Sequence, residues 1–236
     1  IDPGRSALKL VDENWRTLRV PSVHSPVTKE FLSNAIVRRS ELITSVSGFN
    51  DGEMWIIGRA AIERIQSGKL IEVSETKEFL KNATVYSLAS LTEMVQEDAD
   101  VNILTQLTNN DMKKFGKAIG KALSGEKTLQ RYDSYGDFVG EYTYNIESDV
   151  YLQGLCAFFD LLFSEDGKVD EELLKETVLV VDVGHQSTDI VLVKGLSVAA
   201  VASYPVGSGS IFRSITDVLS KDGVAMAAKD VEWRFI

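Results

Sequence analysis

Two aspartates, Asp2 and Asp182, share one local grammar. Each follows an apolar residue or run and is followed two positions later by a glycine, Gly4 or Gly184. Each stretch then passes through small polar residues into a second, strand-like apolar run: IDPGRSALKLV in the first case, VLVVDVGHQSTDIVLVKG in the second. A strand that ends in Asp-x-Gly, turns tightly and returns presents several backbone N–H groups at its tip. Such concavities bind anions, phosphate above all. Glycine lets the backbone approach the phosphate closely. A carboxylate at the same place repels phosphate unless a divalent cation lies between them, held directly or through water. Lys9, seven residues after Asp2, can reach back over the first turn as a point charge for a phosphate oxygen. Two such turns facing each other would clamp a polyphosphate and its Mg2+ from both sides. The same residues also serve ordinary hairpins, where Asp and Gly are turn formers. Their pairing at the heads of two sheet-rich halves favours the phosphate reading.

The elements that must position these turns follow from periodicity and turn chemistry. WRTLRV predicts a strand after the Asp12–Asn14 turn, and LITSVSGF with GEMWIIG predicts a hairpin through Asn50-Asp51-Gly52. Leu80, Leu88, Leu91 and Val95 predict a helix over 75–97 with one apolar stripe and Ser74 as its cap. VNILTQL predicts a short buried strand. Met112, Phe115, Ile119, Ala122 and Leu123 predict an amphipathic helix ended by Gly125. TLQRY and FVGEYTYNI predict two strands joined by residues 133–137, followed by a largely buried helix over 148–163. The charged run SEDGKVDEELLKET predicts a loop with a short exposed helix and supplies the domain boundary. Residues 1–166 are then a first domain with a small inserted subdomain, and 167–236 the start of a second. Strands over 178–182, 188–194 and 197–204 and a helix over 210–219 complete the α/β pattern.

Composition narrows the chemistry. With 236 residues, 44% of them hydrophobic, the chain can bury a sizeable core. A net charge of −10 weighs against direct binding to nucleic acid or to an anionic membrane. A single cysteine, Cys156, allows no internal disulfide and fits a core position in a reducing compartment. No apolar run approaches the ~18 residues of a membrane span, and no signal peptide is visible, so a cytoplasmic location is expected. His24 and His185 are the only histidines and cannot build a zinc cluster of the usual spacing. No Gly-x-Ser-x-Gly elbow is present, and Trp15, Trp55 and Trp233 are too scattered for a base-stacking platform. The locally basic MKKFGKAIGKALSGEK reads as the solvated face of a helix, or else as a filament or partner contact.

IDPGRSALKLV resembles the first phosphate loop of the actin-like ATPase superfamily, and VVDVGHQSTDIVLV resembles the second. WIIGRAAIERI is similar to that superfamily's strand-Gly-x-x-Ala-helix step, here Gly58 to Ala61. YNIESDVYLQGLCAFFDLL is similar to the segment in which a Glu or Gln precedes the helix connecting the two domains. SYPVGSGSIFRSITDVL is similar to the Gly-containing strand-to-helix step after the second phosphate loop. Order and spacing agree along nearly the whole chain, with the nearest likeness to prokaryotic filament-forming actins: plasmid-segregation proteins of the ParM type and their archaeal relatives.

The resemblance implies an α/β, two-domain actin-like (ribonuclease H-like) fold with a nucleotide cleft between the domains, the second domain being incomplete at Ile236. It implies that Asp2 and Asp182 hold Mg2+ through water. Gly4, Arg5, Ser6 and Lys9 would bind phosphate from the first domain; Gly184, Gln186, Ser187 and Thr188 would do so from the second. Glu147 would position the attacking water, with Asp182 as its catalytic companion; an acid at a helix start, favoured there by the helix dipole, is the alternative for Glu147. The implied function is a nucleotide-dependent, filament-forming protein that slowly hydrolyses Mg-ATP or GTP, for DNA segregation or cytoskeletal organisation. Self-association is the implied partnership, an adaptor protein an optional one. A small-molecule kinase or phosphatase, or a non-hydrolysing nucleotide-binding scaffold, are the alternatives on the same fold. Three departures bear on the site: His185 and Gln186 stand where many members carry glycines, Pro3 removes a backbone donor, and NILTQLTNND lacks a Gly-Leu-Pro.

Overall fold

The structure is a computed structural model and describes residues 1–4, 7–28, 42–46, 54–58, 61, 71–72, 79–133, 137–164 and 166–224. It divides into two compact units: residues 1–107 with 114–151, and residues 108–113 with 152–236. The composition break at 166/167 falls inside the second unit.

The first unit holds two sheets. Strands β1 (Asp2–Pro3), β2 (Ala7–Val11) and β3 (Thr17–Pro21) form an antiparallel three-stranded sheet in sequence order. A seven-stranded sheet contains β4 (Val23–Val27), β5 (Leu42–Val46), β6 (Met54–Ile57), β7 (Ile71–Glu72), β8 (Ala99–Leu107), β9 (Gly125–Tyr132) and β10 (Phe138–Leu152). Its order is β7-β4-β6-β5-β9-β10-β8. The expected β5–β6 hairpin is present, pairing Leu42 with Ile57; its Asn50-Asp51-Gly52 turn lies outside the described residues, as does Ser74.

Helix α1 (Phe79–Met94) lies against β5 and β9 of the larger sheet and against β1, β2 and β3 of the smaller one. That explains a difference from expectation. A single apolar stripe suits a helix with one wet side, but every residue from Asn82 to Thr92 is buried. Small and hydroxylic side chains suit such a site because they satisfy themselves on the helix: Thr84 Oγ1 donates to Leu80 O at 2.8 Å and Thr92 Oγ1 to Ala89 O at 2.7 Å. Strand β8 is longer than expected, at nine residues, and only half-buried, with Leu104 60% exposed. Helix α2 (Asn109–Leu123) is amphipathic as its spacing predicts, and Gly125 follows it at φ 87°.

Strand β10 is the main correction to the sequence reading. It continues through Glu147 to Leu152, and helix α3 runs only over Gln153–Leu162, not 148–163. The physical reason is periodicity. Exposure alternates along Glu147, Ser148, Asp149, Val150, Tyr151 and Leu152, as a strand requires. Nor is the helix buried on most sides, since Leu161 is 65% exposed.

The second unit is built on β11 (Thr177–Val183), β12 (Thr188–Lys194) and β13 (Ser197–Tyr204), antiparallel and in sequence order, with a 3-10 turn (Leu173–Lys175) before them and helix α4 (Gly209–Lys221) after. Phe158 and Leu162 of α3 pack on Val191 and Val193 of β12, with Val178, Val180 and Val201 around them. Gly154 allows this approach, because a Cβ there would lie 2.5 Å from Val191 Cγ2. The other face of the sheet carries Leu179, Val181, Val183 and Tyr204, all more than half exposed.

Candidate functional site

The first turn joins β1 to β2. Register pairs Asp2 with Lys9 and Pro3 with Leu8, so Lys9 stands directly across from Asp2 and its Nζ donates to Asp2 Oδ2 at 3.1 Å. Asp2 is buried, whereas the lysine side chain is 57% exposed. Lys9 therefore leans over the turn as expected, and its ammonium sits on the carboxylate. Gly4 is required by close approach, since a Cβ there would lie 2.6 Å from Ala7 O. Its carbonyl accepts from Ser22 Oγ at 2.5 Å, tying the turn to the chain just after β3. Arg5 and Ser6 lie outside the described residues.

Nearby, Gly58 takes φ 76°, with Val20 Cγ1 2.6 Å from where its Cβ would be. Ala61 N donates to its carbonyl at 3.0 Å. This is the strand-Gly-x-x-Ala step read from the sequence.

The second turn joins β11 to β12. Register pairs Val183 with Thr188 and Asp182 with Asp189, so residues 184–187 form the loop. Gly184 N donates to Ser187 O at 2.8 Å and closes it. The loop is braced from behind by the segment leading into α4. Ser208 N donates to Gly184 O at 2.9 Å and Gly209 N donates to His185 O at 2.8 Å. Glycine is needed at 207 because a Cβ would lie 2.4 Å from Gly184 O and 2.6 Å from His185 O. The first amides of α4 thus bind turn carbonyls rather than solvent, and they fix which way the loop's own groups face. His185 is half-buried, its ring stacked on Phe212 with centroids 6.4 Å apart. Its bulk is taken up by packing on α4. Gln186 is also half-buried, at the loop tip.

The hydroxyls expected to meet phosphate already have partners. Thr188 Oγ1 donates to Val206 O at 2.7 Å, and Ser187 Oγ donates to Asp189 Oδ2 at 2.9 Å. Asp189, 5% exposed, also accepts from Ser203 Oγ. With those hydroxyls committed, the loop's donors for an anion are its backbone amides and the side-chain amide of Gln186.

Sequence reasoning missed two members of this cluster. Asp189 locks Ser187 and Ser203, and its signal was a lone acid on the inward face of TDIVLVK, level with Val191 and Val193. Gln153, the first residue of α3, donates from Nε2 to Asp182 Oδ2 at 2.6 Å. It was hidden by the misplaced helix start. Glu147, by contrast, is exposed and lies within β10, in the first unit. The structure thus gathers Asp2, Gly4 and Lys9 at one turn, and Asp182, Gly184, Gln186, Ser187 and Thr188 with Gln153 and Asp189 at the other.

A family profile described as "Actin like proteins N terminal domain" matches residues 1–155. No curated protein sequence matches the chain. Among solved structures, the chain is similar to Ta0583, an archaeal actin homolog, with a TM-score of 0.71 at 18% identity over 97% of this chain and 68% of that one. The apo pSK41 ParM protein aligns with a TM-score of 0.69 at 17% identity, over 98% of this chain and 71% of that one. Bacillus thuringiensis ParM with ATP aligns with a TM-score of 0.64 at 16% identity, over 97% of this chain and 67% of that one. At such identities the likeness is one of fold. With the family profile matching well over half of its length, the chain belongs to the actin-like proteins, and its α/β architecture is theirs.

Proposed function

We propose that this protein binds Mg-ATP (or GTP) through its two Asp-x-Gly turns, hydrolyses it slowly, and uses the nucleotide state to control self-association into filaments. Plasmid segregation or cytoskeletal organisation in the cytoplasm is the corresponding role. One observation carries the reading: both turns are braced hairpins with a strand-end aspartate, and the second is held by the amides of Ser208 and Gly209 and by the close approach that Gly207 allows. A family neighbour solved with ATP supports the ligand class.

The residues fit a hard cation. Asp2 already holds an ammonium group, that of Lys9, and Asp182 holds an amide donor, that of Gln153. No group of three or more potential metal ligands occurs among the described residues. Mg2+ needs none, since it is commonly bound by one or two carboxylates plus substrate phosphates and water. Asp2 and Asp182 would hold it, and when bound it supplies charge neutralisation at the phosphates. Lys9 would add a second positive charge from the first turn; Gln186, Ser187 and Thr188 would contribute backbone N–H groups and the Gln186 side-chain amide, while Gly184, whose own N–H closes the loop on Ser187 O, would let the backbone approach the phosphate closely. Arg5 and Ser6 are proposed contacts on sequence grounds. Orientation of the attacking water falls to Gln153 ahead of Glu147, because Gln153 is fixed at Asp182 and keeps its Oε1 as an acceptor for a water proton.

A non-hydrolysing nucleotide-binding scaffold is the second reading, favoured by the internal commitment of the Ser187 and Thr188 hydroxyls. Asp182→Asn separates the two. Phosphate release should fall sharply while nucleotide binding persists. Unchanged release in that variant would overturn the site assignment, and binding without release in the parent chain would establish the scaffold.

A further inference from the structure

Helix α2 carries an outward face of one sign. From residue 113 onward its exposed positions are Lys113, Lys114, Lys117, Ala118 and Lys121, while Gly116, Ile119 and Leu123 are buried. None of these lysines forms an ion pair among the described residues. Lys113 and Lys117, and Lys117 and Lys121, are i,i+4 neighbours, and like charges so placed destabilise a helix by about 0.2–0.5 kcal/mol per pair. Lys113 and Lys114 also lie away from the C-terminal turn where cations are favoured. A solvated helix face ordinarily interleaves signs. With 35 acidic and 25 basic residues, the chain had carboxylates available to do so. Lys121, in the last turn, suits the helix dipole, but the other three lysines add no such gain, which leaves recognition as a use for the stripe.

An acidic counterpart exists in the same sequence. Segment 166–176, DGKVDEELLKE, carries five carboxylates against two lysines. Asp166, Asp170, Glu171, Glu172 and Glu176 are all exposed. Asp166 pairs with Lys168 and Glu172 with Lys175, while Asp170 accepts the amides of Glu172 and Leu173. Glu171 and Glu176 have no ion-pair partner among the described residues.

We propose that the lysine stripe of α2 docks onto the acidic 166–176 segment of a second copy of this chain. The proposal rests on the self-association reading and names its contact. The stripe and the acidic segment are different patches, so the contact can repeat from copy to copy, as head-to-tail assembly requires. A nucleic acid is the less suited occupant. The chain is strongly acidic, and α2 offers no arginine fork and no aromatic platform, only lysine point charges.

The experiment is sedimentation of the full chain with Mg-ATP across a KCl series, using Lys113→Glu with Lys117→Glu, Glu171→Lys with Glu176→Lys, and all four changes together. Circular dichroism melts confirm that each variant folds. Each reversed pair should raise the critical concentration at least about tenfold, and the fourfold swap should restore it to within about threefold. Assembly of the parent chain should weaken with salt. Folded reversal variants that assemble like the parent, or a swap that restores nothing, overturn the contact while leaving self-association intact. A parent chain that assembles in no nucleotide state overturns both. A parent chain that retards duplex DNA, with retardation lost on reversing Lys113 and Lys117, hands the stripe to nucleic acid and overturns the proposal.

Discussion

Replacing Gly207 by alanine tests whether the second turn depends on its brace. The new Cβ would lie 2.4 Å from Gly184 O, 2.6 Å from His185 O and 2.7 Å from His185 C. All three are backbone atoms of the turn, so no side chain can swing aside to make room. Either the turn or the segment leading into α4 must move. Overpacking of this kind costs about 1–3 kcal/mol. The displacement also strains two hydrogen bonds, from Ser208 N and Gly209 N, each worth about 0.5–1.5 kcal/mol. Together a loss of about 2–4 kcal/mol is expected, since neighbouring effects are not additive. Urea denaturation of the full chain measures it, and titration with a fluorescent ATP analogue measures the consequence at the site. A shifted turn should weaken nucleotide binding by at least about tenfold, or 1.4 kcal/mol. Gly120→Ala is the comparison: its Cβ would meet Val150 Cγ2 at 3.4 Å inside helix α2. That change should be neutral or stabilising by up to ~1 kcal/mol. If Gly207→Ala matches Gly120→Ala in both assays, the bracing argument is wrong.

Lys9→Ala should weaken nucleotide binding by roughly 1.5–3 kcal/mol, the scale of charge-assisted hydrogen bonds, and equal affinity in a titration would make Lys9 only the strand partner of Asp2. Gln153→Ala should slow phosphate release by about 10²-fold with near-normal affinity, whereas Glu147→Ala should leave the rate close to normal; the reverse ranking would restore the sequence-based choice. Stability should also depend on pH through His24. Burial, aided by the Lys81 charge, lowers its pKa from 6.5 to about 4, and its Nδ1 is 2.7 Å from Tyr86 OH. The unfolded chain then binds more protons between those values, so stability is full above 6.5 and declines as pH falls towards 4. Between pH 7 and pH 5 the loss attributable to His24 is about 2 kcal/mol, and a His24→Gln variant that declines equally over that window would refute it.

Both turns were legible because their chemistry is local: an apolar run, an aspartate, a glycine two residues on. Strands β11 and β12 and helices α2 and α4 were legible because their burial follows one clean period, and β13 because an apolar run follows the Lys-Gly turn. Glu147 shows where this fails. The run Glu-Ser-Asp looks like the capped start of a helix, yet the alternation of Tyr144, Ile146, Ser148, Val150 and Leu152 carries the strand past it. Helix α3 starts at Gln153 behind an N-cap, Leu152, that makes no side-chain capping bond, so nothing in local capping chemistry announces it, and Gln153 went unseen. The partners of Ser187 and Thr188 were illegible for another reason. Asp189, Ser203 and Val206 meet them through strand pairing and the return towards α4, which no short window of sequence contains.

The register of β11 against β12 has a consequence for how the second turn can change over generations. Asp182 faces inward only because four residues, 184–187, separate Val183 from its partner Thr188. Side chains alternate along a strand, so a one-residue slip would carry the aspartate to the outer face and send Leu179, Val181 and Val183 inward. Substitutions within the loop escape this rule, as the lodging of His185 against Phe212 illustrates. The hairpin is therefore held more tightly in length than in side-chain bulk: a loop one residue longer or shorter should cost the fold more than a substitution at position 185.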